Sequence, residues 1–306
     1  MLAARGSPQA NSIGRRDVTV TILLALAAAL ANAVHLMTQH SASAGASSKH
    51  GHWELLKFLI RQPLWLLGWV AAAAGFAFQA LALHGGQLSV VQILLVTELV
   101  FALLLRRFWI RQHIAKTAWT AALVTCGALG VFLIAAEPHG GHVQPSATEW
   151  ISAIVVFGVI VAVLGFLARW GSPVRRVALY AVAASITWAL MATFIKATTD
   201  VLAESGPLGT LAHWPVYALI VSGIIGSVLQ QAALQVGPLS VSQPVLVVVD
   251  PAVAIVLSVW IFGERIAVSP AQKIITSVAF VVMAAGVTVL SRAAPNDLDP
   301  SLHVRL

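Results

Sequence analysis

Charged side chains are scarce in this chain, because Asp, Glu, Lys and Arg together make up 9% of its 306 residues. Hydrophobic residues make up 59%, and the mean hydropathy is +0.89. So few polar groups cannot cover the surface of a soluble globule of this length. The composition therefore predicts a protein whose solvent is the lipid bilayer.

Cysteine is nearly absent as well, since Cys126 is the single one. One cysteine excludes an intramolecular disulfide and any metal site built from several cysteines. No loop carries a nucleophile beside its base, an HExxH sequence or a P-loop, so we expect neither an enzyme nor a cofactor. The formal net charge of +7 is spread in short Lys and Arg clusters between apolar runs, which indicates membrane topology rather than nucleic-acid binding.

Long apolar runs are what the sequence has in abundance. A crossing of the hydrocarbon layer needs about 20 apolar residues in a helix, and only helices or closed barrels satisfy their backbone in lipid. The runs lack the alternation of barrel strands, so we predict an all-α integral membrane protein. The nine predicted spans cover residues 18–38, 63–84, 88–105, 115–136, 150–169, 175–199, 214–236, 239–262 and 272–291. Eight of the ten tryptophans, Trp150 among them, lie near the ends of these runs, as expected at membrane interfaces.

The distribution of positive charge orients the predicted spans. With the N-terminus outside, twelve Lys and Arg residues fall on the cytoplasmic side and five on the outer side, as the positive-inside rule favours. Two alternatives stay open. A tenth helix within 41–61 would place the Arg15–Arg16 pair inside, although 53–60 resembles an interfacial turn more than a span. The Ala31-Asn32-Ala33 pattern also allows a cleaved signal peptide.

An internal repeat divides the chain. A shift of 151 residues aligns identical residues, among them Gly75 with Gly226 and Gln79 with Gln230. Five helices separate equivalent members, so the two four-helix copies have opposite orientations, as in many secondary transporters. The predicted divisions are an N-terminal tail (1–17), a first repeat (18–136), an outer loop with a connecting helix (137–174), a second repeat (175–291) and a disordered tail (292–306).

The eighth predicted span carries an acid and two prolines in an otherwise apolar run. A carboxylate at bilayer depth costs about 2.5 to 3.5 kcal/mol and usually marks an ion or substrate pathway. Asp250 is therefore the leading candidate, with Pro244 and Pro251 as helix-breaking positions. Its alternative role is to cap a helix that restarts at Pro251. Glu98 lies within one residue of the position that the repeat relates to Asp250, and its alternative is a pair with Arg106 or Arg107 near the membrane end.

Other polar or aromatic side chains within the spans complete the set of candidates. The binding candidates are Asp250, Glu98, Gln79, Gln92, Gln230, Gln243, Asn32 and Trp188. The glutamines and Asn32, which shares a helix face with His35, also suit hydrogen bonds between helices, and Trp188 suits packing or stacking on a cation. Lys196 suits snorkelling to the interface better than a role as counter-ion. The histidine pairs 50/52 and 139/142 lack acidic partners, so we predict no metal site.

The segment from Gly237 to Arg265, with Gly-Pro-Leu-Ser, Pro244, Pro251 and then Gly-Glu-Arg, resembles the corresponding repeat of the drug/metabolite transporter superfamily. Residues 61–92, with their Pro-Leu-Trp helix entrance, are similar to the NIPA-type magnesium-transporter branch. Where that branch has an acid after the glycine of the second helix, this chain has Phe76. The resemblance implies alternating-access transport of a small solute through a central cavity.

Two classes of function follow. The first is a secondary transporter in the cytoplasmic membrane, moving a small solute or cation, with proton coupling through intramembrane carboxylates. A NIPA-like carrier of magnesium or another divalent cation is its closest alternative. The second class is a non-transporting scaffold or partner subunit. The expected partners are membrane lipid and a small-molecule or cation substrate, without nucleic acid, and a homodimer is left open.

Overall fold

The computed structural model describes residues 8–44, 62–109, 114–137, 145–236, 239–266 and 269–293. These residues form helices joined by short connections and contain no strand. The helices are α1 (Pro8–Ala44), α2 (Pro63–Gly85), α3 (Leu88–Leu95), α4 (Glu98–Phe108), α5 (Lys116–Ala136), α6 (Ala147–Leu167), α7 (Pro173–Thr210), α8 (Trp214–Val236), α9 (Leu239–Phe262) and α10 (Pro270–Ala293).

The described helices contain nine segments that are long and apolar enough to cross a membrane. They are Val18–Thr38, Pro63–Gly85, Leu88–Phe108, Lys116–Ala136, Ala147–Leu167, Pro173–Thr210, Trp214–Ala233, Pro244–Phe262 and Pro270–Leu290. The predicted all-α class and the nine apolar spans are thereby confirmed for the described part of the chain. The protein is a multi-pass membrane protein.

Polar side chains fix where several of these helices begin. Ser146 and Glu149 form a capping box at the start of α6, since Ser146 Oγ accepts from Glu149 N and Glu149 Oε2 accepts from Ser146 N at 2.7 Å. Ser172 caps α7, which begins at a proline. Ser269 and Gln272 exchange the same two bonds at α10. The caps satisfy N–H groups that the first turn of a helix leaves without intrahelical partners.

The residues up to Trp109, together with Thr199–Glu204, form one compact unit. Within this unit α1 packs along α2, and α3 and α4 also pack on α1. The two long helices are antiparallel, because His35 lies against Gly68 near the start of α2 and Thr21 lies against Gly86 just beyond its end. The unit therefore contains the first three apolar spans.

The second compact unit holds α5, α6, α8, α9, α10 and most of α7. Helices α5 and α10 pack on each other, and α9 packs on α6, α8 and α10. The pair α5 and α10 is antiparallel. The Phe132 and Phe280 ring centroids are 6.3 Å apart, while Glu137 at the end of α5 accepts from Gln272 at the start of α10 at 3.3 Å.

The helix boundaries differ from the sequence-based expectations at three places. The third span is two helices rather than one, with a turn at Val96 and Thr97. The sixth span continues to Thr210, although Gly206 interrupts its helical path with φ 67° and ψ 177°. Glycine reaches this conformation without steric cost. Of the predicted N-terminal tail, the residues from Pro8 onward belong to α1.

Several predictions fall on residues outside the described ranges. These are the alternative span within 41–61 beyond residue 44, the histidine pairs at 50/52 and 139/142, and the C-terminal tail from residue 294. Each of them stays a prediction.

Candidate functional site

Glu98 lies at a break inside the third span. The N–H groups of Val96 and Thr97 bond the carbonyls three residues back, Ile93 O at 3.2 Å and Leu94 O at 3.0 Å, which is the pattern of a 3₁₀ turn. Thr97 Oγ1 also donates to Leu94 O at 2.7 Å, and such side-chain bonds compete with the helical ladder. Helix α4 restarts at the next residue, so Glu98 is the first residue of a half-helix within the span.

Asn32 of α1 joins this acid to α2. Its side-chain amide donates a hydrogen bond to the Glu98 carboxylate. Its Oδ1 lies against Gly75 of α2 so closely that a Cβ at Gly75 would collide with it. Three helices of the first unit therefore converge on one amide, and the expected interhelical bond of Asn32 is made to the candidate acid itself.

His35 lies one turn from Asn32 on the same face of α1. Its Nδ1 is 2.8 Å from Gly68 O of α2, and its ring meets Trp69 edge-on at 6.3 Å between centroids. Gly68 and Gly75 are seven residues apart, so both lie on the α2 face that packs against α1. His35 makes the interhelical contact that its position predicts, and it holds α1 in register beside Asn32.

Asp250 lies inside α9. The expectation that Pro244 and Pro251 break this helix is wrong in that neither proline ends it. Helix α9 runs from Leu239 to Phe262 with both prolines in its interior. Each proline removes one intrahelical bond, and membrane helices tolerate this where neighbouring groups satisfy the freed carbonyl. Since no helix begins at Pro251, the N-cap role for Asp250 loses its structural basis. Asp250 itself is partly buried.

Trp188 of α7 and Gln230 of α8 are brought together in the second unit. Trp188 Nε1 donates to Gln230 Oε1 at 2.9 Å. Gly226, one turn before Gln230, lies under the indole, and a Cβ there would stand 3.2 Å from the ring. The indole is therefore held by a hydrogen bond at its edge and by backbone at its face.

The remaining glutamines are less closely tied to these groups. Gln79 is half-buried on α2 and Gln92 is 4% exposed on α3. The side-chain hydrogen bond to Glu98 comes from Asn32 rather than from either glutamine. Gln243 belongs to α9, but its side chain lies outside the described part of the structure.

Two side chains have surroundings that differ from the sequence-based interpretation. Lys196, expected to snorkel to the interface, is 5% exposed, and its Nζ stands 5.4 Å from the centroid of the Phe262 ring. Trp150, expected to mark the membrane interface, is 9% exposed and packs among other aromatic rings. Glu264, which the sequence predictions included only in the Gly-Glu-Arg motif and not among the binding candidates, is 1% exposed. Its position directly after an apolar span and a glycine was the available signal.

No group of three or more His, Cys, Asp or Glu residues that could hold a metal ion occurs in the part of the chain that the structure describes. The polar groups that are brought together are instead an acid with an amide in the first unit and an indole with an amide in the second. Such groups can hold a proton, a cation or a polar solute.

No protein-family model matches the chain, and no solved structure matches it significantly. It is similar to an uncharacterized protein of Corynebacterium glutamicum, with 26% identity over 277 residues. The match takes in 90% of this chain and 96% of that protein. The chain is therefore a multi-pass membrane protein that is similar, along nearly its whole length, to a corynebacterial protein of comparable extent.

Proposed function

We propose that this protein is a secondary transporter of the drug/metabolite type, which moves a small solute or cation across the cytoplasmic membrane by alternating access. Glu98 is its coupling carboxylate in this proposal. The observation that carries it is the interruption of the third span directly before Glu98, with Asn32 bonded to the carboxylate. Broken helices at membrane depth are tolerated where they line a cavity or are buried in protein, and transporters place their sites there.

The packing around two glycines supports an inverted repeat. Gly75 and Gly226, which the 151-residue shift relates, each lie against a side chain from the preceding span, Asn32 in one case and Trp188 in the other. Ala82 and Ala233, related by the same shift, are both fully buried. In both copies the related glycine therefore packs against a side chain of the span before it.

The antiparallel pairing of α5 and α10 supports the repeat independently. The same shift maps 116–136 onto 267–287, which is largely α10. If the repeat relates α5 to α10, their antiparallel packing requires a two-fold axis between them that is perpendicular to both helices. The contact between α5 and α10 therefore favours a pseudo-two-fold axis in the membrane plane, which is the arrangement of inverted-repeat transporters.

The chemistry assigned to Glu98 follows from its surroundings. When the carboxylate is ionised, the bond that the Asn32 amide donates to it is a charge-assisted hydrogen bond. When the carboxylate binds a proton or a cation, the strength of the Asn32–Glu98 hydrogen bond changes. The contact that links α1 to α4 changes with it. Binding at Glu98 therefore changes a contact between helices. A ligand shifts a conformational equilibrium only if it binds the two conformations with different affinities, and this contact provides such a difference.

Purified protein in proteoliposomes with an imposed pH gradient tests this function. The vesicles enclose a pH-sensitive dye and receive Mg²⁺, choline, a primary amine or an amino acid from outside, with protein-free vesicles as the reference. We expect one class of probe to produce proton flux that depends on the protein. Glu98→Gln, which keeps the shape and the hydrogen-bonding capacity, should fold normally, lose gradient-driven accumulation and retain exchange.

Glu204→Gln is the matched control, since Glu204 is exposed and lies outside the proposed site. Gradient-driven accumulation at the wild-type rate in Glu98→Gln would contradict the coupling role of this acid. Flux equal to that of empty vesicles for every probe would favour the non-transporting scaffold instead.

A further inference from the structure

Four aromatic rings cluster at one end of the second unit. Trp150 near the start of α6 lies between Phe194 of α7, Trp214 at the start of α8 and Phe262 at the end of α9. The centroids of these rings lie 5.8, 5.0 and 6.0 Å from that of Trp150. The rings thus tie the starts of α6 and α8 and the end of α9 to α7, on the side that is the outer one in the predicted topology.

A buried cation contacts one ring of this aromatic cluster. Lys196 is 5% exposed, and its ammonium stands over the face of Phe262. An aromatic face attracts a cation, and the attraction grows when the cation is desolvated. Lys196 therefore contacts the end of α9 from α7.

A buried carboxylate follows the same ring along the chain. Gly263 adopts φ 62°, which turns the chain back after α9. Glu264 N then donates to Ser258 O at 3.1 Å, so residue 264 is held against the last turn of the helix. Its side chain is 1% exposed, and it lies two residues beyond the ring that contacts Lys196.

Lys196 and Glu264 are two buried side chains of opposite charge near the end of α9. A pairing of opposite charges avoids the large cost of an isolated buried charge. Such a pair rarely adds stability over a well-packed apolar pair, because desolvation offsets the attraction. The charge pair differs from an apolar pair when water enters the cluster. Hydration then stabilises the two charges, whereas exposing apolar side chains to water costs free energy. A charge pair therefore narrows the free-energy difference between a dry, closed cluster and a wet, open one.

We propose that Lys196 and Glu264 form the outer gate of the transport cycle, a charge pair that closes the aromatic cluster and permits it to open. This inference rests on the proposed transport function for its purpose. The gate motion itself is measurable without any transported solute.

The test measures how fast a buried cysteine becomes accessible. Cys126→Ser removes the native thiol, and Ser258→Cys places a near-isosteric one at a fully buried position beside Glu264. A membrane-impermeant, positively charged methanethiosulfonate reagent is added outside proteoliposomes. Lys196→Met with Glu264→Leu should keep the thermal stability and slow the labelling by at least about tenfold. Either single substitution leaves one charge uncompensated and should speed labelling and lower the melting temperature.

The charge-reversed double variant, Lys196→Glu with Glu264→Lys, should recover much of the wild-type labelling rate. Lys273→Met is the control, because it removes an exposed lysine of the same unit, and it should change nothing. Unchanged labelling in the apolar double variant, or additive effects of the two single substitutions, would overturn the proposal. If Glu98→Gln keeps gradient-driven accumulation while the labelling rates change as expected, the coupling role of Glu98 is rejected and the gate proposal is retained.

Discussion

Gly75→Ala is the substitution that tests the Asn32–Glu98 link most directly. A Cβ at this position would collide with Asn32 Oδ1 and stand 3.3 Å from Asn32 Cγ and 3.5 Å from Ala28 O. Backbone of α1 cannot withdraw without parting the two helices, so the Asn32 side chain must rotate. The rotation would remove its hydrogen bond to Glu98.

The expected cost has two parts. Overpacking a tight contact costs about 1 to 3 kcal/mol, and a hydrogen bond to a charged group contributes about 1.5 to 3 kcal/mol. Bonds between membrane helices average nearer 0.6 kcal/mol, because partners are found in the unfolded state too. We therefore expect Gly75→Ala to lower the free energy of unfolding by about 1 to 3 kcal/mol, with a loss of transport of at least tenfold.

Unfolding by a denaturing detergent in mixed micelles measures the stability, and the proteoliposome assay measures transport. Gly127→Ala is the control, since a Cβ at Gly127 meets nothing within 4 Å. It should be neutral or slightly stabilising, as alanine favours the helix.

The decisive comparison is a double-mutant cycle with Asn32→Ala. If Gly75→Ala acts through Asn32, the double variant should be no less stable than Asn32→Ala alone, because the colliding atom is gone. Additive losses of stability and transport would refute the idea that Gly75 leaves the space that the Asn32 side chain needs.

Three further predictions concern the rest of the molecule. If Asp250 is a second coupling acid related to Glu98 by the predicted repeat, Asp250→Asn should fold, since Asn keeps the size and hydrogen-bonding capacity of Asp, and should lose gradient-driven accumulation; normal accumulation would leave Glu98 as the coupling acid without Asp250. Trp188→Phe removes the indole N–H that donates to Gln230 and should destabilise the protein by about 1 kcal/mol. Gln230→Glu can still accept that bond, so the tryptophan fluorescence of this variant should show the indole in its original environment. Reporter fusions after Arg111, Pro145 and Leu306 should read inside, outside and inside, and a cytoplasmic signal at the N-terminus with the C-terminus unchanged would contradict the nine-span topology.

The spans were predictable because hydropathy and length are local properties of the sequence. The break at Val96 and Thr97 was not, since neither residue forbids a helix and the deciding bond from Thr97 Oγ1 depends on side-chain geometry. The opposite error occurred at Pro251, where a residue that disfavours helices in water lies inside one. In lipid, an unsatisfied backbone group costs more than a distorted turn, so the helix continues past the proline.

The candidate site was predictable as a set of residue types but not as a set of pairs. An acid or amide within a span is visible in sequence, and Glu98, Asn32, Trp188 and Gln230 were found this way. Burial by tertiary packing is not visible, which is why Lys196 and Trp150 were assigned to the membrane interface. Their surroundings come from residues of other helices that are far apart along the chain.

The two proline-containing turns of α9 and the proline-free turn before Glu98 differ in reversibility. A proline has no N–H in any conformation, so the hydrogen bonds missing at Pro244 and Pro251 of α9 are missing permanently. Val96 and Thr97 keep their N–H groups and can return to α-helical bonding. A 3₁₀ turn advances about 120° per residue and an α-helix about 100°, so converting these two residues would rotate Glu98 by about 40° around the span. The third span thus contains a turn whose hydrogen bonds can change and move Glu98 relative to Asn32, whereas the bonds that Pro244 and Pro251 withhold in α9 are absent in every conformation.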